Sequence, residues 1–188
     1  MSQFVSHSLD TAPDEAKPLM EGVQRRFGFI PDIYAKMANA PAVMEGYLSL
    51  VAILDKSSFN PQEQQIIQLA VSIENHCEYC VAAHSMIAKQ MLNIDPNVVN
   101  ALREQGKGPE AKLQALADFS QMVVRERGHV PQQAIDKFLA AGYSQAQVLE
   151  VVLGVAVKTL SNYSNHLTNP SVDDAFADDA WQAPAKPM

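Results

Sequence analysis

The run VLEVVLGVAVKTL, residues 148–160, limits what this chain can become. Its apolar residues fall on most faces of a helix, so it must be surrounded by the rest of the protein. Its valines also suit a strand, but its length and the absence of period-two alternation decide for a helix. Ser144 and Gln147 have the spacing of a capping box that opens it, and it continues to about Tyr163. The segment predicts a central core helix.

The remainder of the chain is punctuated as helices of ordinary length. Residues 1–12 read as a polar arm, and 13–26 as a first helix with acidic residues near its start and Arg25 and Arg26 near its end. Pro31 breaks the chain, and Asp32 is placed to cap a short helix through Met37. Pro41 and Asn60-Pro61 open helices that reach Leu54 and Glu74. Asn75-His76 is expected to end the second of these, because Asn tolerates the left-handed conformation of a C-cap. Further helices are expected over 78–91, 96–105, 110–127 and 131–140, with a loop at 106–109. The tail, 170–188, alternates acidic pairs with Phe176 and Trp181; it docks either on a neighbouring copy or back on its own subunit. The whole reads as a single all-α domain, 1–188.

Length and charge narrow the function. A chain of 188 residues with 47% apolar and 19% charged residues suits one well-buried core. Its net charge of −7 and lack of a long basic cluster argue against nucleic acid as a partner. No apolar run approaches the roughly 18 residues of a membrane span, and the first residues lack the pattern of a secretory signal, so a cytoplasmic, non-membrane protein is expected. In a reducing compartment the only two cysteines, Cys77 and Cys80, suit chemistry better than a structural disulfide.

Those cysteines stand C-x-x-C, with His84 four residues after the second. On a helix the three lie within about 60° of one another, sharing a face with Val81, Ala88 and Met91. A thiol reacts as thiolate, and an unperturbed value of about 8.5 leaves it mostly protonated at neutral pH. Cys77 near a helix N-terminus gains from the dipole, whereas Cys80 has His84 one turn later as a base. On an apolar face the base matters more, which favours Cys80 as the attacking thiol and Cys77 as the resolving one. Zinc held by Cys77, Cys80, His84 and His76 is the other reading of the cluster, disfavoured by crowding on one helical face. His166, beside Asn162 and Asn165, either lines the site or caps its helix. Lys158, alone in the apolar run, is expected to reach a carboxylate at a subunit interface.

Cys77-Glu-Tyr-Cys80-Val-Ala-Ala-His84, preceded by LAVSIEN at 69–75, resembles the AhpD-like alkylhydroperoxidase branch of the carboxymuconolactone decarboxylase superfamily. Residues 27–41 and 162–176 resemble flanking segments of its peroxidase-related members. The resemblance implies an oligomeric all-helical fold (dimer, trimer or hexamer) and reduction of organic hydroperoxides or hydrogen peroxide through Cys77 and Cys80. It further implies no bound cofactor, with electrons supplied by an external dithiol or a lipoylated adaptor protein. It also implies a Glu–His proton relay to the second cysteine. Cys77, Cys80 and His84 match that motif, but its glutamate stands here as Gln65, which can orient His84 and cannot accept a proton. Glu63 is near in sequence yet lies about 160° away around the helix. Two further expectations stand beside the peroxidase: a decarboxylase-like enzyme, although such members generally lack the C-x-x-C pair, and a redox-sensing interaction protein without turnover.

Overall fold

The structure, a computed structural model, describes residues 3–106, 108 and 110–184. Lys107 and Pro109 of the expected loop and the last four residues of the tail lie outside the described residues. Among the described residues every regular element is helical: α1 (Lys17–Phe27), α2 (Asp32–Met37), α3 (Pro41–Leu54), α4 (Pro61–Glu74), α5 (Glu78–Met86), α6 (Pro96–Arg103), α7 (Ala111–Arg125), α8 (Gln132–Ala140) and α9 (Gln145–Thr168). The end of the cysteine helix widens into a π turn at Ile87–Met91, and the tail forms a 3-10 segment at Asp174–Asp179.

Local chemistry accounts for most of these boundaries. Prolines occupy the first turns of α3, α4 and α6, where a missing N–H costs nothing. Asn60 Oδ1 accepts the Glu63 N–H at 2.9 Å and Glu63 Oε2 accepts the Asn60 N–H at 3.1 Å, a reciprocal cap on α4. Ser144 and Gln147 make the same exchange on α9, at 3.2 and 2.9 Å. That helix outruns its expected end and reaches Thr168, where Asn169 turns left-handed at φ 50°. The first helix begins at Lys17 instead of 13, after a run of turns. Asp32 is the first residue of α2, not its cap; its carboxylate accepts the Ser171 N–H from the tail at 2.7 Å.

Two apolar clusters flank α4, α5 and α9. One gathers α4, α6, α7 and α8, with Phe138 stacked between Phe119 and Tyr143 at 4.5 and 4.4 Å. The other gathers α1, α2, α3 and the cysteine face of α5. α9 crosses both through Val151 and Val157, but the apolar run is not surrounded on all faces as expected: Leu149 and Val152 face outward. It meets α4 so closely that a Cβ on Gly154 would lie 2.5 Å from Ile67 Cγ2. The arm lies along α2, where Lys36 Nζ and Asn39 Nδ2 donate to the carbonyls of Phe4 and Val5 at 2.7 Å.

The tail folds back on its own subunit. Phe176 is buried edge-on against Tyr79 at 5.9 Å, and Asp179 accepts from Lys89 at 2.7 Å and Arg103 at 3.3 Å. Trp181 Nε1 donates to the Arg103 carbonyl at 3.2 Å. No single helix among the described residues is long and apolar enough to cross a membrane.

Candidate active site

The turn that closes α4 also sets the first cysteine. Asn75 stays right-handed at φ −78°, and the left-handed residue is His76 at φ 58°, one position later than the sequence suggests. The His76 N–H returns to the Ile73 carbonyl at 3.0 Å and the Cys77 N–H to the Ser72 carbonyl at 2.9 Å, which satisfies two carbonyls that a helix end leaves orphaned. Histidine is among the residues that visit this region more readily than most. The turn delivers Cys77 as the N-cap of α5, Cys80 in its first turn and His84 one turn on, all three buried.

Both thiols are free and share one donor: Asn165 Nδ2, from α9, lies 3.2 Å from Cys80 Sγ and 3.6 Å from Cys77 Sγ. Tyr79 stands between the two cysteines in sequence. Its hydroxyl donates to the Asp173 carboxylate of the tail and accepts the Ile33 N–H at 3.4 Å, so it clamps α5 to α2 and the tail. Burial first, then Asp173, pushes its phenol far above the usual range, and it stays protonated.

His84 has both ring nitrogens engaged. Nδ1 meets Gln65 Oε1 at 2.8 Å, and Nε2 meets Lys158 Nζ at 2.8 Å. An amide oxygen only accepts, so Nδ1 carries the proton and Nε2 accepts from the lysine. Burial, and then the Lys158 charge, hold the imidazole well below its usual value. A neutral ring committed on both sides is a weak acceptor for a thiol proton, unlike the base expected from the sequence. Gln65 is thus placed directly against the His84 ring. Glu63 is spent elsewhere, on the cap of α4 and on Lys112 at 3.1 Å.

Lys158 is the residue whose role sequence reasoning missed. It is 0% exposed and reaches His84, not a carboxylate at a subunit interface. Its signal was present as the lone cation in the apolar run; what the sequence withheld was the neighbour. Asn165 carried no signal beyond its place beside His166. Burial alone would raise the Cys80 thiol, but the hydrogen bond from Cys77 and the Lys158 charge outweigh it and hold Cys80 below the ordinary thiol range. Cys77 is pushed the other way, by its hydrogen bond to Cys80 and by burial. Within the pair, Cys80 is therefore the sulfur that holds negative charge.

Cys80, His84, Gln65 and Lys158 line a pocket of about 110 Å³ walled by Phe27, Tyr34, Tyr47, Tyr79 and Phe176, with Arg26 and Asp55 also on its lining. Tyr34 and Tyr47 face each other at 5.8 Å, and burial pushes both phenols above their usual range. His166 is apart from this pocket: it is exposed, stacks on Tyr163 at 6.2 Å, and lines a separate cleft beside Cys77. Among the described residues no group of three His, Cys, Asp or Glu side chains is placed to hold a metal ion.

Fold and site together define an all-helical protein with a buried C-x-x-C pair at the head of a helix, its second cysteine opening onto an aromatic pocket. Residues 40–106, which include Gln65, both cysteines and His84, match the model of the carboxymuconolactone decarboxylase family. No curated protein matches the chain in sequence. Among solved structures it is similar to a peroxidase-related protein with an alkylhydroperoxidase AhpD core from Ralstonia eutropha JMP134, at 22% identity and a TM-score of 0.81, over 93% of this chain and 94% of that one. A peroxidase-related protein from Silicibacter sp. TM1040 gives 18% identity and a TM-score of 0.78, over 93% and 95%. The debrominase Bmp8, solved in complex with 2,3,4-tribromopyrrole, gives 20% identity and a TM-score of 0.78, over 95% and 96%. The family match is thus confined to residues 40–106, and the fold of the whole chain is that of the AhpD-core structures.

Proposed function

We propose that this protein is a thiol-dependent peroxidase that reduces organic hydroperoxides through Cys80 and Cys77, with an external dithiol as electron source. The observation that carries the reading is the placement of Cys80 on the pocket lining with Lys158, where the thiolate is stabilised without a base. The thiolate attacks the terminal oxygen of the hydroperoxide and the O–O bond breaks. The alkoxide leaves with a proton from the Lys158 ammonium, and Cys80 becomes a sulfenic acid. Cys77 then attacks that sulfur, water departs, and a disulfide remains. His84, held by Gln65, orients Lys158 and does not itself take the thiol proton. Apolar walls suit an alkyl or aryl hydroperoxide better than hydrogen peroxide. The same reading places the pair in a reducing compartment, the cytoplasm, in a homo-oligomer.

The test is consumption of cumene hydroperoxide with a dithiol reductant. Wild type turns over, Cys80→Ser is inactive, and Cys77→Ser accumulates a sulfenic acid that a dimedone probe traps on Cys80. Full activity in either cysteine variant overturns the reading. The aromatic walls also favour a second reading, reductive dehalogenation of a flat halogenated ring, in line with the debrominase among the similar structures. Release of bromide from a brominated pyrrole, without peroxide turnover, decides for it.

A further inference from the structure

The two cysteines open on different sides of α5. Cys80 lines the aromatic pocket and Cys77 does not. Cys77 lines a second cleft, of about 290 Å³, with His76, Asn165, His166 and Val172, and Cys80 is absent from its lining. Tyr79 lines both and, clamped on Ile33 and Asp173, forms the partition between them. Asn165 spans the two thiols through Nδ2, while its buried Oδ1 has no hydrogen-bond partner among the described residues. A buried amide oxygen left without a donor is able to receive one from a bound molecule.

We propose that the second cleft is the reductant site, where a small dithiol attacks the Cys77–Cys80 disulfide at Cys77 Sγ. The proposal rests on the reading of the pair as a redox couple, whatever the oxidant. One thiolate of the reductant bonds to Cys77 Sγ, the Cys77–Cys80 bond breaks, and its electron pair leaves on Cys80 Sγ, beside Asn165 Nδ2 and Lys158. The reductant's second thiol donates its S–H to Asn165 Oδ1, then attacks the reductant sulfur of the mixed disulfide. Cys77 departs and takes the proton that the second thiol gives up. Two electrons pass from the dithiol, which becomes a disulfide. Exchange is faster when the sulfur that leaves is the more acidic one. Here that sulfur is Cys80, and attack from the aromatic pocket would instead have to expel Cys77.

The protein is oxidised with diamide, so that disulfide formation does not depend on peroxide, and its reduction by dihydrolipoamide is followed by trapping free thiols. Val172→Trp, a change at a half-exposed residue, fills the second cleft and slows reduction about tenfold or more, because exchange depends on access. Oxidation by cumene hydroperoxide keeps its wild-type rate in that variant. Met91→Trp, on the lining of the aromatic pocket, gives the reverse pattern. A monothiol, 2-mercaptoethanol, added to the oxidised wild type leaves an adduct that fragmentation mass spectrometry locates on Cys77. An adduct on Cys80, or wild-type reduction of Val172→Trp, overturns the proposal. If the peroxidase reading alone is wrong, hydroperoxide fails to oxidise the protein while the diamide-oxidised form still shows this pattern.

Discussion

At Cys80 two effects of opposite sign meet, and the winner sets the chemistry. Burial opposes a thiolate, while the Cys77 hydrogen bond and the Lys158 charge favour one strongly enough to prevail. Because the folded value lies below the ordinary one, the thiolate persists as pH falls below about 8.5, where a free thiol would be protonated. In Lys158→Met the titration of thiolate ultraviolet absorbance therefore moves to higher pH, and the thiolate signal at neutral pH falls about tenfold or more. An unchanged titration would remove Lys158 from the role given it here. Gln65→Glu tests the other end of the chain. A carboxylate against Nδ1–H favours the imidazolium, so the His84 titration followed by NMR moves up from its depressed position. Its direction reports whether an acid at Gln65 rebuilds a basic histidine.

At the scale of elements, caps and prolines were legible because their physics is local. Asn60, Ser144 and the prolines of α3, α4 and α6 each act on N–H groups within a turn of themselves. α4 ends at Glu74 as expected, but the left-handed residue is His76 and not Asn75: both tolerate that backbone, and the return of the Cys77 N–H to Ser72 selects His76. The late end of α9 has a tertiary cause as well: Asn162 and Asn165 face inward, tied to Asn75 and to the thiols. Gly154 is the tightest point of the α4–α9 contact. A methyl there costs about 1–3 kcal/mol of overpacking and returns about 1 kcal/mol of helix propensity, a net loss of up to about 2 kcal/mol. Urea unfolding of Gly154→Ala measures it, and a double-mutant cycle with Ile67→Ala, which removes the colliding Cγ2 at its own cavity cost, isolates the part due to collision.

Across the whole molecule, α9 has an outer side to match its buried one. Leu149, Val152, Tyr163 and Leu167 are 72%, 49%, 54% and 74% exposed. At 100° per residue they fall within about 60° of one another, a single apolar stripe along the helix. A contiguous exposed stripe of this kind suits the packing of a second copy, as the proposed homo-oligomer requires. Leu149→Glu combined with Leu167→Glu lowers the mass measured by light scattering while leaving helical content unchanged; an unchanged mass moves the interface elsewhere. Although the run 148–160 turns Leu149 and Val152 outward, against its expected full burial, the sequence alone carried the all-helical class and the gathering of Cys77, Cys80 and His84 in one short segment. Each depends on periodicity and on signals within a few residues. Tertiary structure alone decided that Lys158 meets His84 and that Asn165 bridges the thiols. Those partners lie tens of residues apart in the chain. Only the packing of α9 against α4 and α5 brings them within hydrogen-bonding distance.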